Sequence, residues 1–230
     1  MVRAVNLGLA TGLVGGGMLV PLGPVFVEDV LGAGQAGFGA LIFALGLGVA
    51  GGVIAISVFQ RRLPKEWVFV ASVFVAGFSL GTAASMSAME LAAAFVFLLG
   101  VCAGCVYVLG FTMLHEHVAD ELRGRIFSAL YTMVRLCVLI AFAVGPFLSE
   151  LFGQLSRRFF SDGHVAVGGV AIAVPGVRIT LWTASFIIVV AGVIAAHSML
   201  DAARKELVAG PTGRNGHENG SHDEPGAHGA

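Results

Sequence analysis

The residue whose position most clearly indicates chemistry is Arg135, a lone cation within the apolar stretch Ile126–Ser149. A guanidinium in hydrocarbon costs about 3 kcal/mol, so an arginine in such a stretch usually faces a partner or a water-filled path. Two interpretations are open. In one, Arg135 lines a path and holds an anionic group of a substrate, or a carboxylate that changes its protonation. In the other, it is bound to backbone carbonyls or to Tyr131, one helical turn earlier.

A second candidate site is the loop His115–Arg125. Asp120 can cap a helix that begins near Glu121, and Arg123 and Arg125 lie where the next apolar stretch begins. The simpler interpretation is that these cations anchor the helix at the membrane surface. The alternative is a cytoplasmic gate whose ion pairs break and form again as two groups of helices move. The residues of that gate are Asp120, Arg123, Arg125, Arg61 and Arg62.

An enzyme interpretation rests on Gly77-Phe-Ser79-Leu-Gly81, which has the spacing of a nucleophile elbow. Together with His197, Ser79 would make an intramembrane serine hydrolase. However, the sequence shows no oxyanion loop. His197 is expected near the inner end of its helix, whereas Ser79 is expected at or beyond the middle of the membrane. We therefore expect no enzymatic activity and keep the hydrolase as a minor alternative.

Metal and cofactor motifs are weak in this chain. Cys102 and Cys105 form a CxxC inside an apolar stretch, where zinc would need two more ligands. Gly46-Leu-Gly48-Val-Ala-Gly51 fits the dinucleotide-binding pattern by letter, but no strand precedes it. A solvated polar loop explains His115 and His117. The sequence predicts neither a metal nor a cofactor.

The elements that must position these residues are membrane-spanning helices. Of 230 residues, 57% are hydrophobic and 12% charged, about half the charged fraction of a soluble domain, and the net charge of −1 gives no basic excess for nucleic acid. A helix needs about 20 apolar residues to cross the hydrocarbon layer. Six stretches reach that length: Ala4–Val27, Val30–Gln60, Trp67–Met89, Leu91–Leu114, Ile126–Ser149 and Ile179–Leu200. We predict an all-α membrane protein with six transmembrane helices in residues 1–203 and a disordered polar cytoplasmic tail over 204–230.

The distribution of Lys and Arg predicts the orientation of these helices. With the N-terminus inside, the inner segments contain Arg3, Arg61, Arg62, Lys65, Arg123, Arg125, Arg204 and Lys205. Among the outer segments, only the longest contains basic residues: Arg157, Arg158 and Arg178. We therefore expect a multi-pass protein of the cell inner (plasma) membrane with both termini in the cytoplasm.

Glycine and proline predict where the elements end and pack. Pro21-Leu-Gly-Pro24 should kink or break the first helix, and the second should begin near Phe38 after a glycine-rich loop. Val165–Val174, around Gly168-Gly169, has the pattern of a short outer β-hairpin, with a disordered glycine-rich loop as the alternative. Glycines four residues apart predict close helix packing. They are Gly8, Gly12 and Gly16, Gly48 and Gly52, Gly77 and Gly81, and Gly100 and Gly104.

Two stretches resemble the major facilitator superfamily of transporters, most closely its enterobactin-exporter-like and drug-efflux branch. The inner loop between helices ten and eleven is similar to Glu116-His-Val-Ala-Asp-Glu-Leu-Arg-Gly-Arg-Ile-Phe-Ser-Ala-Leu-Tyr131. Helix seven and its turn are similar to Pro21-Leu-Gly-Pro-Val-Phe-Val-Glu-Asp-Val-Leu-Gly32, followed by Gly37-Phe-Gly39. The resemblance covers roughly residues 5–200 and implies the C-terminal six-helix half, an inverted 3+3 repeat. The signature inner loop would fall at Val53–Arg62, where only Arg61-Arg62 match.

The resemblance implies that the first and fourth helices line a central cavity. The expected substrate pathway contains Arg135, Tyr131, Asn6, Thr11, Tyr107 and Thr112. The implied function is secondary active transport by alternating access: multidrug-type efflux of a small amphipathic compound, with proton antiport as an option. Because this chain has no acidic residue within the membrane, a coupling carboxylate must come from a partner, either the missing N-terminal half or a second copy. The alternative from another class is a non-transporting, truncated membrane scaffold or anchor.

Overall fold

The computed structural model describes residues 16–59, 64–117, 120–159, 164–167, 170–173 and 176–209, with only the backbone at some helix and strand ends. This described part contains six helices and two short strands. In chain order they are α1 (Leu19–Asp29), α2 (Gly34–Phe59), α3 (Lys65–Ser85), α4 (Met89–His117), α5 (Asp120–Phe159), β1 (His164–Val167), β2 (Val170–Ala173) and α6 (Gly176–Ala209). The predicted all-helical membrane domain is confirmed at this level.

Five of the described helices are long and apolar enough to cross a membrane. The spans are Gly34–Val58, Lys65–Ser85, Met89–Met113, Tyr131–Leu155 and Gly176–His197. Their outer surfaces carry large exposed apolar side chains, including Phe43, Phe78, Phe147 and Phe186. A soluble monomer rarely exposes apolar surface on this scale. The chain is therefore a membrane-embedded protein whose outer helix faces suit lipid.

The first helix differs from its prediction around the two prolines. The chain is helical from Leu19 to Asp29 through both Pro21 and Pro24, and the irregular residue is Met18. Pro21 has no N–H to donate to the Gly17 carbonyl, and the irregular Met18 directly follows Gly17. Pro24 likewise removes one bond inside the helix. The helix is nevertheless unbroken over Leu19–Asp29, and the predicted kink at the prolines stays a prediction.

The second helix begins at Gly34, four residues before the predicted start at Phe38. Gly32 and Gly34 have φ angles of 62° and 60°, which are left-handed values that favour glycine. These two residues reverse the chain within a short turn, so Gln35 and Gly37 already belong to α2. The predicted outer loop is correspondingly shorter.

Other element ends also extend beyond their predictions. α4 continues to His117 and α5 starts at Asp120, so most of the predicted loop His115–Arg125 is helical. α6 continues to Ala209, so residues 204–209, assigned to the tail from sequence, are helical, and 210–230 lie outside the described residues. The hairpin segment holds two antiparallel strands with Val167 opposite Val170. The two residues between them are not described, so the hairpin's turn and its role as an outer cap stay predictions.

Helix packing centres on α4, which lies against both α2 and α3, while α6 lies against both α3 and α5. Between α2 and α4 the backbones touch at glycines: Gly48 lies against Phe97 and Gly100, and Gly104 lies against the Val49 carbonyl. A Cβ at these glycines would collide with backbone atoms that cannot move aside. The close packing predicted from these four-residue glycine spacings is confirmed.

Candidate functional site

The described part of the bundle contains a partly open cavity of about 290 Å³, referred to below as the central cavity. All six helices contribute to its wall, together with the helical residues Gly16 and Gly17 that precede α1. The lining residues are Gly16, Gly17, Leu19, Leu45, Val49, Val73, Ala76, Leu99, Ala103, Val106, Tyr107, Val138 and Ile188. Tyr107 alone among them has a polar side chain. The cavity is thus an apolar space at the point where the whole bundle converges.

An aromatic cluster extends from the cavity wall towards the His117 end of the bundle. The rings of Tyr107 and Phe111 on α4 have centroids 4.6 Å apart, and the Phe111 ring lies 6.2 Å from that of Tyr131 on α5. Tyr107 is 55% exposed and Tyr131 51% exposed. The structure therefore brings two predicted pathway residues together through Phe111, which the sequence analysis did not select.

Arg135 lies one helical turn from Tyr131 and one turn from Val138, which lines the central cavity. Its side chain is exposed, and within the described part of the chain it has no hydrogen-bond or ion-pair partner. The described surroundings thus supply neither the backbone carbonyls nor the Tyr131 contact of the structural interpretation. Arg135 lies one helical turn inside the span that begins at Tyr131, so its charge needs water, a ligand or another polypeptide beside it, or must extend along the helix to the membrane surface.

The other predicted pathway and gate residues are less informative. The Thr112 hydroxyl donates to the Val108 carbonyl of its own helix at 2.8 Å, so its hydrogen is not available for a bond to a substrate. Asn6, Thr11, Arg61 and Arg62 lie outside the described residues. Asp120, Arg123 and Arg125 lie in the first turns of α5, but their side chains are not described. The gate hypothesis stays a prediction.

A second arginine, Arg178 in the first turn of α6, is 1% exposed. Its Nε donates to the Ala84 carbonyl at 2.8 Å, and one terminal nitrogen donates to the Met86 carbonyl at 3.0 Å and the Ser87 hydroxyl at 3.3 Å. One turn further on, the Trp182 indole donates to the Ser85 hydroxyl at 3.0 Å. These bonds fasten α6 to the turn between α3 and α4.

The physical role of Arg178 follows from where its partners lie. The last carbonyls of a helix have no intrahelical donor, and the C-terminus carries a partial negative charge, so a cation there satisfies both. On the other side, Gly176 lies against the Ser149 carbonyl and Gly153 of α5. The sequence analysis counted Arg178 only as an outer basic residue. Its position between Val177 and Ile179 at the start of an apolar span was the available signal.

The enzyme-like residues do not converge. Ser79 is buried on α3, where the neighbouring Gly77 lies against Val189 of α6. His197 is eight residues further along α6, which is about 12 Å along the helix axis. That separation removes the geometric basis for a serine hydrolase at this pair.

The cysteines lie in helix packing contacts. Cys105 donates its thiol hydrogen to the Gly52 carbonyl of α2 at 3.5 Å, and Cys102 and Cys137 are buried thiols without a disulfide. These contacts suit small, weakly polar residues that fill space between closely packed backbones.

Comparison of the chain with protein-family models, with curated proteins and with solved structures finds no match. What the chain does is therefore inferred from its own residues and their geometry.

Proposed function

We propose that this chain is the six-helix half of a secondary active transporter of the major facilitator type, exporting a small amphipathic compound across the plasma membrane. The observation that carries the proposal is the exposed strip of Tyr107, Tyr131 and Arg135 beside the central cavity. A polar strip on a membrane-spanning face is unfavourable against lipid. The position of these polar side chains is explained if this face lines one wall of a water-filled path and a partner forms the opposite wall.

The pairing of the helices supports an inverted repeat. Exchanging α1 with α4, α2 with α5 and α3 with α6 converts the α2–α4 contact into α1–α5, and α3–α4 into α1–α6. The α3–α6 contact maps onto itself under the same exchange. A pseudo-two-fold relation of this kind is typical of transporters with inverted three-helix repeats. The α1–α2 and α5–α6 contacts have no comparable counterpart, so the relation is incomplete.

A partner is part of the proposal. The cavity is partly open and the polar strip is exposed, so the path needs a second wall: an N-terminal half or a second copy of this chain. The described acidic residues lie at or near span ends, as Glu66, Glu90 and Glu150 do. Proton coupling would therefore depend on a carboxylate contributed by that partner.

Efflux from energised source cells tests the proposal while the chain keeps its natural partner. The probe is a panel of fluorescent amphipathic dyes, and the variants are Arg135→Ala for the path and Arg123→Ala for the gate. Each variant is expected to abolish efflux of the exported dyes at unchanged membrane levels of the protein. Lys65→Ala removes a cation that belongs to neither and should transport normally.

Two outcomes would contradict the assignment. If Arg135→Ala and Arg123→Ala both transport as the wild type does, the path and gate residues are wrong. If cells with and without the wild-type chain handle every dye identically, the alternative of a non-transporting scaffold is favoured. The exposed side chains of Tyr131 (51%) and Tyr107 (55%) would then belong to a surface that binds another membrane protein.

A further inference from the structure

We propose that the central cavity binds a small lipophilic anion, a monocarboxylate with one or two aromatic rings, and that Arg135 contacts its carboxylate. This inference rests on the proposed transport function and names its substrate class. It follows from the size of the cavity, the chemistry of its wall and the only formal charge beside it among the described residues.

The size of the cavity limits the ligand. An engineered apolar protein cavity of about 150 Å³ takes up benzene. The central cavity measures about 290 Å³, which is room for a two-ring system or a medium-length alkyl chain. Large macrocyclic or polypeptide compounds do not fit this space.

The chemistry of the wall selects an apolar body with a flat shape. Aliphatic side chains such as Leu45, Val73 and Leu99 surround most of the space. The Tyr107 ring lies at one side and is 4.6 Å from Phe111, so it offers an aromatic surface on which a ligand ring can stack. A strongly polar ligand would lose its hydration there without gaining partners.

Charge selects the head group. Arg135 is one helical turn from Val138 of the cavity wall, on the side that leads to the aromatic cluster. The nearest acidic residues along α5 are Glu121, 14 residues earlier, and Glu150, 15 residues later, which are about 21 and 22 Å away along the helix axis. An unneutralised guanidinium beside an apolar cavity repels lipophilic cations and can form charge-assisted bonds to a carboxylate.

Matched probes test the head-group selectivity. The full chain with its natural partner is placed in nanodiscs of phosphatidylcholine, and the binding of radiolabelled 1-naphthoate is compared with that of 1-naphthamide and 1-naphthylmethylammonium, each corrected for empty discs. The three probes share one ring system and differ in charge. We expect 1-naphthoate to bind about tenfold more tightly than the amide, the lower range for a charge-assisted bond. The cation is expected to bind most weakly.

Variants separate the two parts of the site. Arg135→Gln should remove the preference for naphthoate over naphthamide, because the loss of affinity is expected to be much larger for the carboxylate than for the amide. Ala103→Phe, which places a ring in the cavity wall, should abolish binding of all three probes, whereas Ala94→Phe on the same helix should not, because Ala94 does not line the cavity. Equal affinity for acid and amide in the wild type would overturn the inference, as would a preference that survives Arg135→Gln.

Flux distinguishes this inference from the function on which it rests. If naphthoate binds with the predicted dependence on Arg135 but is not moved across proteoliposomes, the site stands and the transport proposal fails. If the amide or the cation is bound preferentially and transported, the transport proposal stands and the anion inference fails. A carboxylate of the partner that already neutralises Arg135 would produce that second result.

Discussion

Two arginines in the apolar part of this chain have opposite surroundings. Arg178 is buried and satisfied by carbonyl and hydroxyl oxygens at the end of α3. Arg135 is exposed on α5 and has no hydrogen-bond or ion-pair partner among the described residues. Both residues are lone cations among apolar residues in the sequence. Arg178 nevertheless holds two helices together through hydrogen bonds, whereas Arg135 has no partner among the described residues.

This contrast predicts opposite effects on stability. Arg178→Met should lower the free energy of unfolding by about 3 kcal/mol, because the buried Ala84 carbonyl and the half-buried Met86 carbonyl lose their donor. Arg178→Lys keeps the charge but not the forked geometry and should retain part of the stability. Arg135→Met should be as stable as the wild type or slightly more stable. Thermal unfolding in detergent measures all three, and an Arg178→Met protein that melts with the wild type would refute the assigned role.

At the scale of elements, glycines bring the backbones of α2 and α4 into direct contact. Gly52 lies against the backbone of Val101, including its carbonyl, whereas the adjacent Gly51 has no heavy atom within 4 Å of where a Cβ would stand. Neighbouring glycines on one helix thus have different roles.

Substitution by alanine is expected to separate those roles. Gly52→Ala should destabilise the bundle by about 2 kcal/mol, because overpacking against backbone cannot be relieved by a rotamer change. Gly51→Ala should be neutral or slightly stabilising, because alanine favours the helix and meets nothing. Thermal survival of the monodisperse protein in detergent compares the two. Equal losses for both variants would mean that α2 and α4 are not in backbone contact at this point.

Sequence alone predicted the five described spans well, because charged residues are excluded from hydrocarbon and the charge-free runs are long. The sixth predicted stretch, Ala4–Val27, lies partly outside the described residues, so its span stays a prediction. The ends were harder to predict. The start of α2 depends on the left-handed Gly34, which composition does not reveal. The role of Arg178 depends on an acceptor 94 residues away, a contact that the order of residues does not encode locally.

At the scale of the whole molecule, the central claim is that the face carrying Tyr107, Tyr131 and Arg135 borders a water-filled path. Helices α1 to α6 meet around one apolar cavity, and the polar strip leads from it towards the His117 end. If the path serves alternating access, its wall must be reachable from each side of the membrane in turn. Lipid-facing positions must not be reachable from water.

Cysteine labelling in source-cell membranes tests that claim most directly. In a background with Cys102, Cys105 and Cys137 replaced by alanine, the Tyr107→Cys variant is exposed to a membrane-impermeant maleimide in right-side-out and in inverted vesicles. The matched control is Phe186→Cys, at a side chain that is 68% exposed on the outer surface of α6. We predict labelling of Tyr107→Cys from both sides and none of Phe186→Cys. Labelling of Tyr107→Cys from neither side, or from one side only, would contradict alternating access through this cavity.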